Sequence, residues 1–431
     1  MLFKNITRNE NGRLHFAGYD TVELAKKYKT PLYLMDENQI RENCRIYKNA
    51  FAKYFGNGAL PLFASKAASF QRIYKIVAEE GMGIDTVSSG EIYTAIKAGF
   101  PAERIYFHGS CKTDDDIAFG VANRVGYFIV DNLEELTQLN KEAGNAGIKQ
   151  KILVRVSPGI DPHTYEAVST GKVDSKFGTA IETNQAIEFI KIALEQPNLI
   201  LKGVHCHVGS QVFGEDIYQR AMDIMVPFMV EVREKFGYTM DVLNMGGGYG
   251  VRYTESDPEI DIDARLAEVA DHLKMLLEKY NFPAPQFLME PGRSIVANAG
   301  MTLYTVGSIK RITGYKNYAA IDGGMTDNPR YALYESAYTV YHASKPETEE
   351  VFDVVGRCCE SGDIIQPNVT LPSSTCRGDI IAVCTTGAYN YSMASNYNKL
   401  GRPPIVMLAE SGDYLAVRRE TFEDLNSLDV E

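Results

Sequence analysis

The sequence predicts an α/β protein in two parts, a (β/α)8 barrel and a second, mostly β domain built from the N-terminal and C-terminal segments. Three observations carry that prediction. Eight short apolar runs alternate with amphipathic segments of helical period between residues 60 and 294, the count and length of a (β/α)8 barrel rather than an open doubly wound sheet. After residue 296 the pattern changes to β-branched runs separated by turn signals, the mark of a β domain. The runs of the first part also end in polar or ionisable residues, at the rim where barrels carry function.

Taken in order, the first 36 residues end in the strand-like PLYLMD, which precedes the first repeat and is expected to pair with the second domain. The barrel runs are LPLFASKA, GIDTVSS, RIYFHGSCK, VGYFIVDN, KILVRVSPG, LILKGVHCHVGS, MDVLNMGGGYG and PQFLMEPGRS. Helix-like stretches such as GEIYTAIKAGF, LEELTQLNKEAG and DIDARLAEVADHLKMLLEKYN lie between them, several with Asp, Ser or Thr caps. The second domain offers TLYTVGSIKRI, NYAAIDGG, VFDVVGRCC, DIIAVCTTG and PPIVMLAESGDYLAVRRE. The expected division is 37–295 for the barrel and 1–36 plus 296–431 for the β domain.

Composition narrows the function. The 431 residues are 45% hydrophobic and 23% charged, ordinary globular usage. Acidic residues outnumber basic ones, 56 to 44, for a net charge of −12, and no basic run stands out, so nucleic acid is not an expected partner. No stretch approaches the roughly 20 apolar residues of a spanning helix, and MLFKNITRNENGRLHF lacks the apolar core of a signal peptide. A cytoplasmic protein with no membrane partner is expected. The seven cysteines are odd in number and form no C-x-x-C pair, which argues against a disulfide framework and a structural zinc site.

The strand ends bear Lys66, Asp85, His108, Asp131, Arg155, His207, the run Gly246-Gly247-Gly248 and Glu290. Lys66, ending the first strand, is expected near the barrel axis and shielded from water, which would lower its pKa and free the amine to condense with a carbonyl. MGGGYG and EPGRS follow the seventh and eighth strands, the loop pair that commonly binds phosphate in this fold. A lysine, a phosphate cradle and a carboxylate are the parts of a pyridoxal phosphate site. Glu290 against the pyridine nitrogen would keep it protonated, His207 would stack on the ring, and Ser210 would donate to the phosphate. His205 and His207 flank Cys206 and are expected on one side of their strand, yet no third ligand follows at metal spacing, so no metal is expected.

Together these residues resemble the diaminopimelate decarboxylases, pyridoxal phosphate enzymes of the alanine racemase-like barrel class related to the ornithine and arginine decarboxylases. FASKA, GIDTVSSGE, HGSCK, DPHTYEAVSTGKVDSKFG, HCHVGSQ, NMGGGYG, EPGRSIVANAG, DGGMTDNPRYALY, CESGD and GAYNYSMASNYN occur in the family's order. The resemblance implies that Lys66 holds the cofactor covalently and that Asp85 and His207 position its ring. Ser210, Gly248, Gly292 and Arg293 then lie at the phosphate side, and Glu290 meets the pyridine nitrogen. It also implies that Arg293, Arg330 and Tyr334 bind a distal carboxylate, that Glu360 takes the distal ammonium and that Tyr389 touches both phosphate and substrate. Cys359 is the implied general acid, with Lys66 as the alternative proton donor, and it lies on a loop that the resemblance inserts across a homodimer interface so that active sites are shared. Ala68 and Ser89 stand where the family often has Asn and Gly, departures that bear on substrate positioning and not on the reaction.

The implied reaction is decarboxylation of meso-2,6-diaminopimelate to L-lysine and carbon dioxide, the last step of lysine biosynthesis. Two rivals are weighed against it. A related decarboxylase acting on ornithine, arginine, lysine or carboxynorspermidine would have no use for paired Arg293 and Arg330. A catalytically dead binding protein on the same fold would not need an intact Lys66, Glu290 and Cys359.

Overall fold

The computed structural model describes residues 1–56, 58–160, 175–214 and 216–430. All eight apolar runs form parallel strands: β1 (Leu60–Ala64), β2 (Gly83–Thr86), β3 (Ile105–Phe107), β4 (Tyr127–Val130), β5 (Gln150–Ser157), β6 (Leu199–His205), β7 (Val242–Asn244) and β8 (Gln286–Met289). The cylinder closes where β8 pairs with β1, Leu288 opposite Leu60. Every second side chain along a strand points inward and fills the interior, with Leu62, Tyr106, Ile129, Leu153, Val242 and Leu288 in one cluster. Four of the helices between the strands start at hydrogen-bonding caps. Ser88 accepts from Glu91 N–H, Asn132 from Glu135 N–H and Asp261 from Ala264 N–H, and Thr113 with Asp116 forms a reciprocal capping box.

The chain groups into two compact units, one of residues 43–250 and 260–292 and the other of 1–42, 251–259 and 293–431. The nine-residue excursion Val251–Glu259, which no sequence pattern announces, therefore packs with the β unit although it follows β7 in the chain.

That second unit is built on the long strand Gly300–Ile312. PLYLMD supplies the strand Leu32–Asp36, which runs antiparallel to it (Leu34 opposite Met301) and parallel to Ile405–Ala409 (Leu34 opposite Val406). Lys316–Ile321, Glu350–Val355 and Ile364–Leu371 extend the sheet on the other side, and Ile380–Cys384 branches from it. Ile364–Leu371 escaped the sequence reading because Pro367 and Asn368 interrupt its alternation, and its pairing with Glu350–Val355 shifts register there. Among the described residues no helix is long and apolar enough to cross a membrane.

Candidate active site

The barrel rim gathers its charge on one carboxylate. Glu290 follows β8, and four contacts hold it: His108 after β3 stands with Nε2 2.9 Å from Oε1, Asn244 at the end of β7 donates to Oε1 at 2.7 Å, and His205 at the end of β6 places Nε2 3.2 Å from Oε2. The fourth is backbone, the Glu290 N–H donating to Gly246 O at 2.8 Å. Burial alone would push the Glu290 carboxyl up, but the two imidazoles hold it well below the usual carboxylate range. Asp85, buried 3.8 Å from His108, moves the other way: burial raises its pKa and the nearby Glu290 charge adds to the rise. The two buried carboxyls are thus shifted in opposite directions, Glu290 down and Asp85 up.

Burial drives His205 down to about 4, so its imidazole is neutral at pH 7. An ionised carboxylate only accepts, so the His205 proton sits on Nε2. The ligand atoms of His108, His205 and Glu290 lie within 4.8 Å of one another, close enough for one metal ion. Here the carboxylate engages both imidazoles directly. His207, beyond the strand end, makes a different contact, its Nδ1 accepting Gly247 N–H at 3.2 Å, so the two histidines expected to act from one side serve separate partners. Burial, then the charges of Lys66 and Arg155, press the His207 pKa well below its ordinary value.

The triple glycine is required by crowding as well as by phosphate chemistry. A Cβ on Gly246 would lie 2.6 Å from Cys206 O, on Gly247 2.1 Å from Glu290 O and on Gly248 2.5 Å from Gly209 O. Gly246 and Gly248 also have φ of +67° and +141°, conformations that favour glycine. The Gly246 N–H is taken by Asn244 Oδ1 and the Gly247 N–H by His207. This leaves Gly248, the position expected to face a phosphate. Gly292 serves close approach too, a Cβ there falling 2.9 Å from the Ala64 Cβ beside the lysine turn. Ser210 is half-buried in the loop after β6.

Lys66 departs from expectation. It occupies a 3-10 turn, Ser65–Ala67, just past β1, and its side chain is exposed rather than shielded. The turn carries it beyond the packed barrel interior, although its charge still acts on Asp85 and His207. Asp131 and Arg155 pair at 3.8 Å, with Arg155 over the Phe177 ring at 4.3 Å and Asp131 accepting Gly178 N–H at 2.8 Å. Residues 161–174 of the DPHTYEAVSTGKVDSKFG motif lie outside the described residues.

The second unit holds a separate cluster. Arg293 and Arg330, both buried, lie over the Tyr389 ring, at 4.7 and 5.3 Å from its centroid. Arg330 also lies 4.9 Å from the Tyr334 ring, and its Nε has no hydrogen-bond partner among the described residues. Aromatic faces stabilise a cation without using its N–H donors, so this guanidinium is equipped to receive an anion. Tyr389 has φ +62°, a costly conformation for a bulky residue, of the kind that persists at functional sites. Cys358 is buried, whereas Cys359 and Glu360 are exposed beyond the strand Glu350–Val355, with the Cys359 N–H on Asn398 Oδ1 at 2.9 Å.

Sequence reasoning named neither Asn244 nor Glu91 nor Tyr253. Asn244 was visible as a polar residue closing an apolar strand. Glu91 carries a signal only as the third residue after the Ser88 cap, and there it accepts Val87 N–H at 2.7 Å. Tyr253 gave none.

A closed parallel barrel with a lysine, a glycine-rich loop and a buried ionised glutamate at its rim is the frame of a barrel enzyme. Residues 37–297 match the family described as "Pyridoxal-dependent decarboxylase, pyridoxal binding domain". The chain is 40% identical to the diaminopimelate decarboxylase of Bacillus subtilis, over 98% of this chain and 96% of that one, and 41% identical to the one from Bacillus methanolicus, over 97% and 98%. The diaminopimelate decarboxylase of M. jannaschii, solved in co-complex with L-lysine, superposes with a TM-score of 0.92 at 34% identity, covering 99% of this chain and 98% of that one. The chain belongs to the diaminopimelate decarboxylase family.

Proposed function

We propose that this chain removes the carboxylate from the D-configured centre of meso-2,6-diaminopimelate in the cytoplasm, giving carbon dioxide and L-lysine, the last step of lysine biosynthesis. The observation that carries the reading is the pair of buried arginines sharing the Tyr389 face, because a substrate without a distal carboxylate has no use for them. That favours diaminopimelate over ornithine or lysine.

The residues present fit pyridoxal 5'-phosphate: a buried glutamate that stays ionised, and a three-glycine turn whose Gly248 amide is not taken by any of the described residues. Pyridoxal phosphate supplies an electron sink for the pair left when the carboxylate departs. In this reading Lys66 tethers the cofactor and Glu290, kept negative by His108 and His205, holds the pyridine nitrogen protonated. Asp85 and His207 fix the ring, and Ser210, Gly248, Gly292 and Arg293 take the phosphate side with Tyr389. Arg293, Arg330 and Tyr334 grip the distal carboxylate and Glu360 the distal ammonium. Cys359 returns a proton from Sγ to the carbon that has lost its carboxylate. In this reading the barrel unit chiefly serves the cofactor, and the second unit serves substrate and subunit contact.

Product analysis tests the reaction. Purified protein loaded with cofactor should convert meso-diaminopimelate to L-lysine and leave L-lysine, L-ornithine and L-arginine largely intact, and a preference for any of the latter overturns the reading. We further propose a homodimer with shared sites, in keeping with the exposure of Cys359 and Glu360. Lys66→Ala and Cys359→Ala chains, nearly inactive alone, should regain up to about a quarter of full activity after subunit exchange, since half the dimers are mixed and each has one intact site. Mixed dimers that form but stay inactive refute sharing.

A further inference from the structure

The excursion Val251–Glu259 carries a tyrosine with a defined task. Tyr253 is buried, and its backbone is held from two directions. Asp257 Oδ2 accepts the N–H groups of Tyr253 and Thr254 at 2.9 and 2.8 Å, while Tyr253 O accepts from Thr339, N–H at 3.2 Å and Oγ1 at 2.8 Å. Its ring stands edge-on to Tyr338, centroids 5.4 Å apart at 87°. The hydroxyl of this fixed ring accepts a hydrogen bond from Arg293 Nη1 at 2.6 Å, a charge-assisted bond to a buried guanidinium.

We propose that Tyr253 is a positioning residue that sets selectivity for ligands with a distal carboxylate, by holding the Arg293 guanidinium in the orientation that receives it. The inference rests on the role given to Arg293 above. Arginine's stem has several rotamers, and planar two-point recognition of a carboxylate needs one of them. Tyr389 offers Arg293 only a face, which does not fix rotation in its plane; the Tyr253 hydroxyl supplies a directional acceptor that does. The excursion's departure from the barrel sequence is what brings this acceptor to an arginine 40 positions later in the chain.

The test compares wild-type and Tyr253→Phe holoenzymes by kinetics and by calorimetric titration with two ligands, L-lysine, which retains the distal carboxylate, and cadaverine, which lacks it. Tyr253→Phe should raise KM for meso-diaminopimelate and the dissociation constant for L-lysine about tenfold, the scale of one charged hydrogen bond, with kcat and cadaverine binding changed less than about twofold. Combined with Arg293→Lys, it should add little beyond the single change, because the two act as a unit. Should Tyr253→Phe prove too unstable to purify, Tyr253→Met, which fills the site with a flexible apolar side chain and likewise lacks the hydroxyl, must weaken L-lysine more than cadaverine. Unchanged L-lysine affinity, equal weakening of both ligands or additive losses overturns the proposal. A wild-type protein that does not turn over meso-diaminopimelate refutes the proposed reaction instead, and the L-lysine and cadaverine titrations still decide the role of Tyr253.

Discussion

Glu290 in the barrel and Arg330 in the second unit are both buried charged side chains, yet their surroundings differ in kind. Glu290 is enclosed by an amide and two imidazoles. Arg330 is bounded by the rings of Tyr334 and Tyr389, with its Nε unpartnered among the described residues. Hydrogen-bond partners fix both the charge and the direction of a group, whereas aromatic faces stabilise charge and leave its donors available. The first arrangement suits a permanent partner held through every turnover, the second a ligand that must arrive and leave.

The comparison can be broken most sharply at Lys66. Lys66→Ala should abolish turnover, and borohydride reduction followed by peptide mapping should no longer fix the cofactor to the chain; covalent trapping at another lysine would show that the rim is organised around a different amine. Next in size, Glu290→Gln should lower kcat by on the order of a hundredfold, as removal of a preorganised catalytic charge does, with little change in KM.

Arg330→Ala should act on the other parameter, cutting kcat/KM for meso-diaminopimelate at least about tenfold through KM, from a charged hydrogen bond worth roughly 1.5–3 kcal/mol. If Glu290→Gln and Arg330→Ala shift the same constant, the contrast between fixed and open charge fails.

The smallest effect sharpens the contrast within the barrel. Glu91 has no imidazole against its carboxyl, and burial, with the Asp85 charge, raises its pKa from 4.5 to about 7. A carboxyl raised on folding contributes stability that is fully present below its unfolded pKa and is lost as pH rises through the folded value. Wild-type protein should therefore lose stability between about pH 4.5 and 7 on account of this group. Glu91→Gln, neutral throughout, should melt higher than wild type by a few degrees at pH 8 and show no such gain at pH 4, read by thermal denaturation at both pH values.

Sequence alone determined the barrel, because strand and helix periods are local and each of the eight runs carries its own apolar pattern. It also marked where the strands end, and so put Lys66, Asp85, His108, His207 and Glu290 on one rim. PLYLMD was legible as a strand for the same reason. What it left undecided depends on closure of the cylinder and on contacts between distant segments. That His205 rather than His207 meets Glu290, that Asn244 joins them and that Gly246 and Gly247 spend their amides on neighbours follow from the registers of β6, β7 and β8. The exposure of Lys66 was decided by a turn one residue past its strand, and the partnership of Tyr253 with Arg293 by an excursion whose own residues have no period to announce it. Local pattern specifies elements; only packing between elements specifies which side chains share a proton, a charge or a ligand.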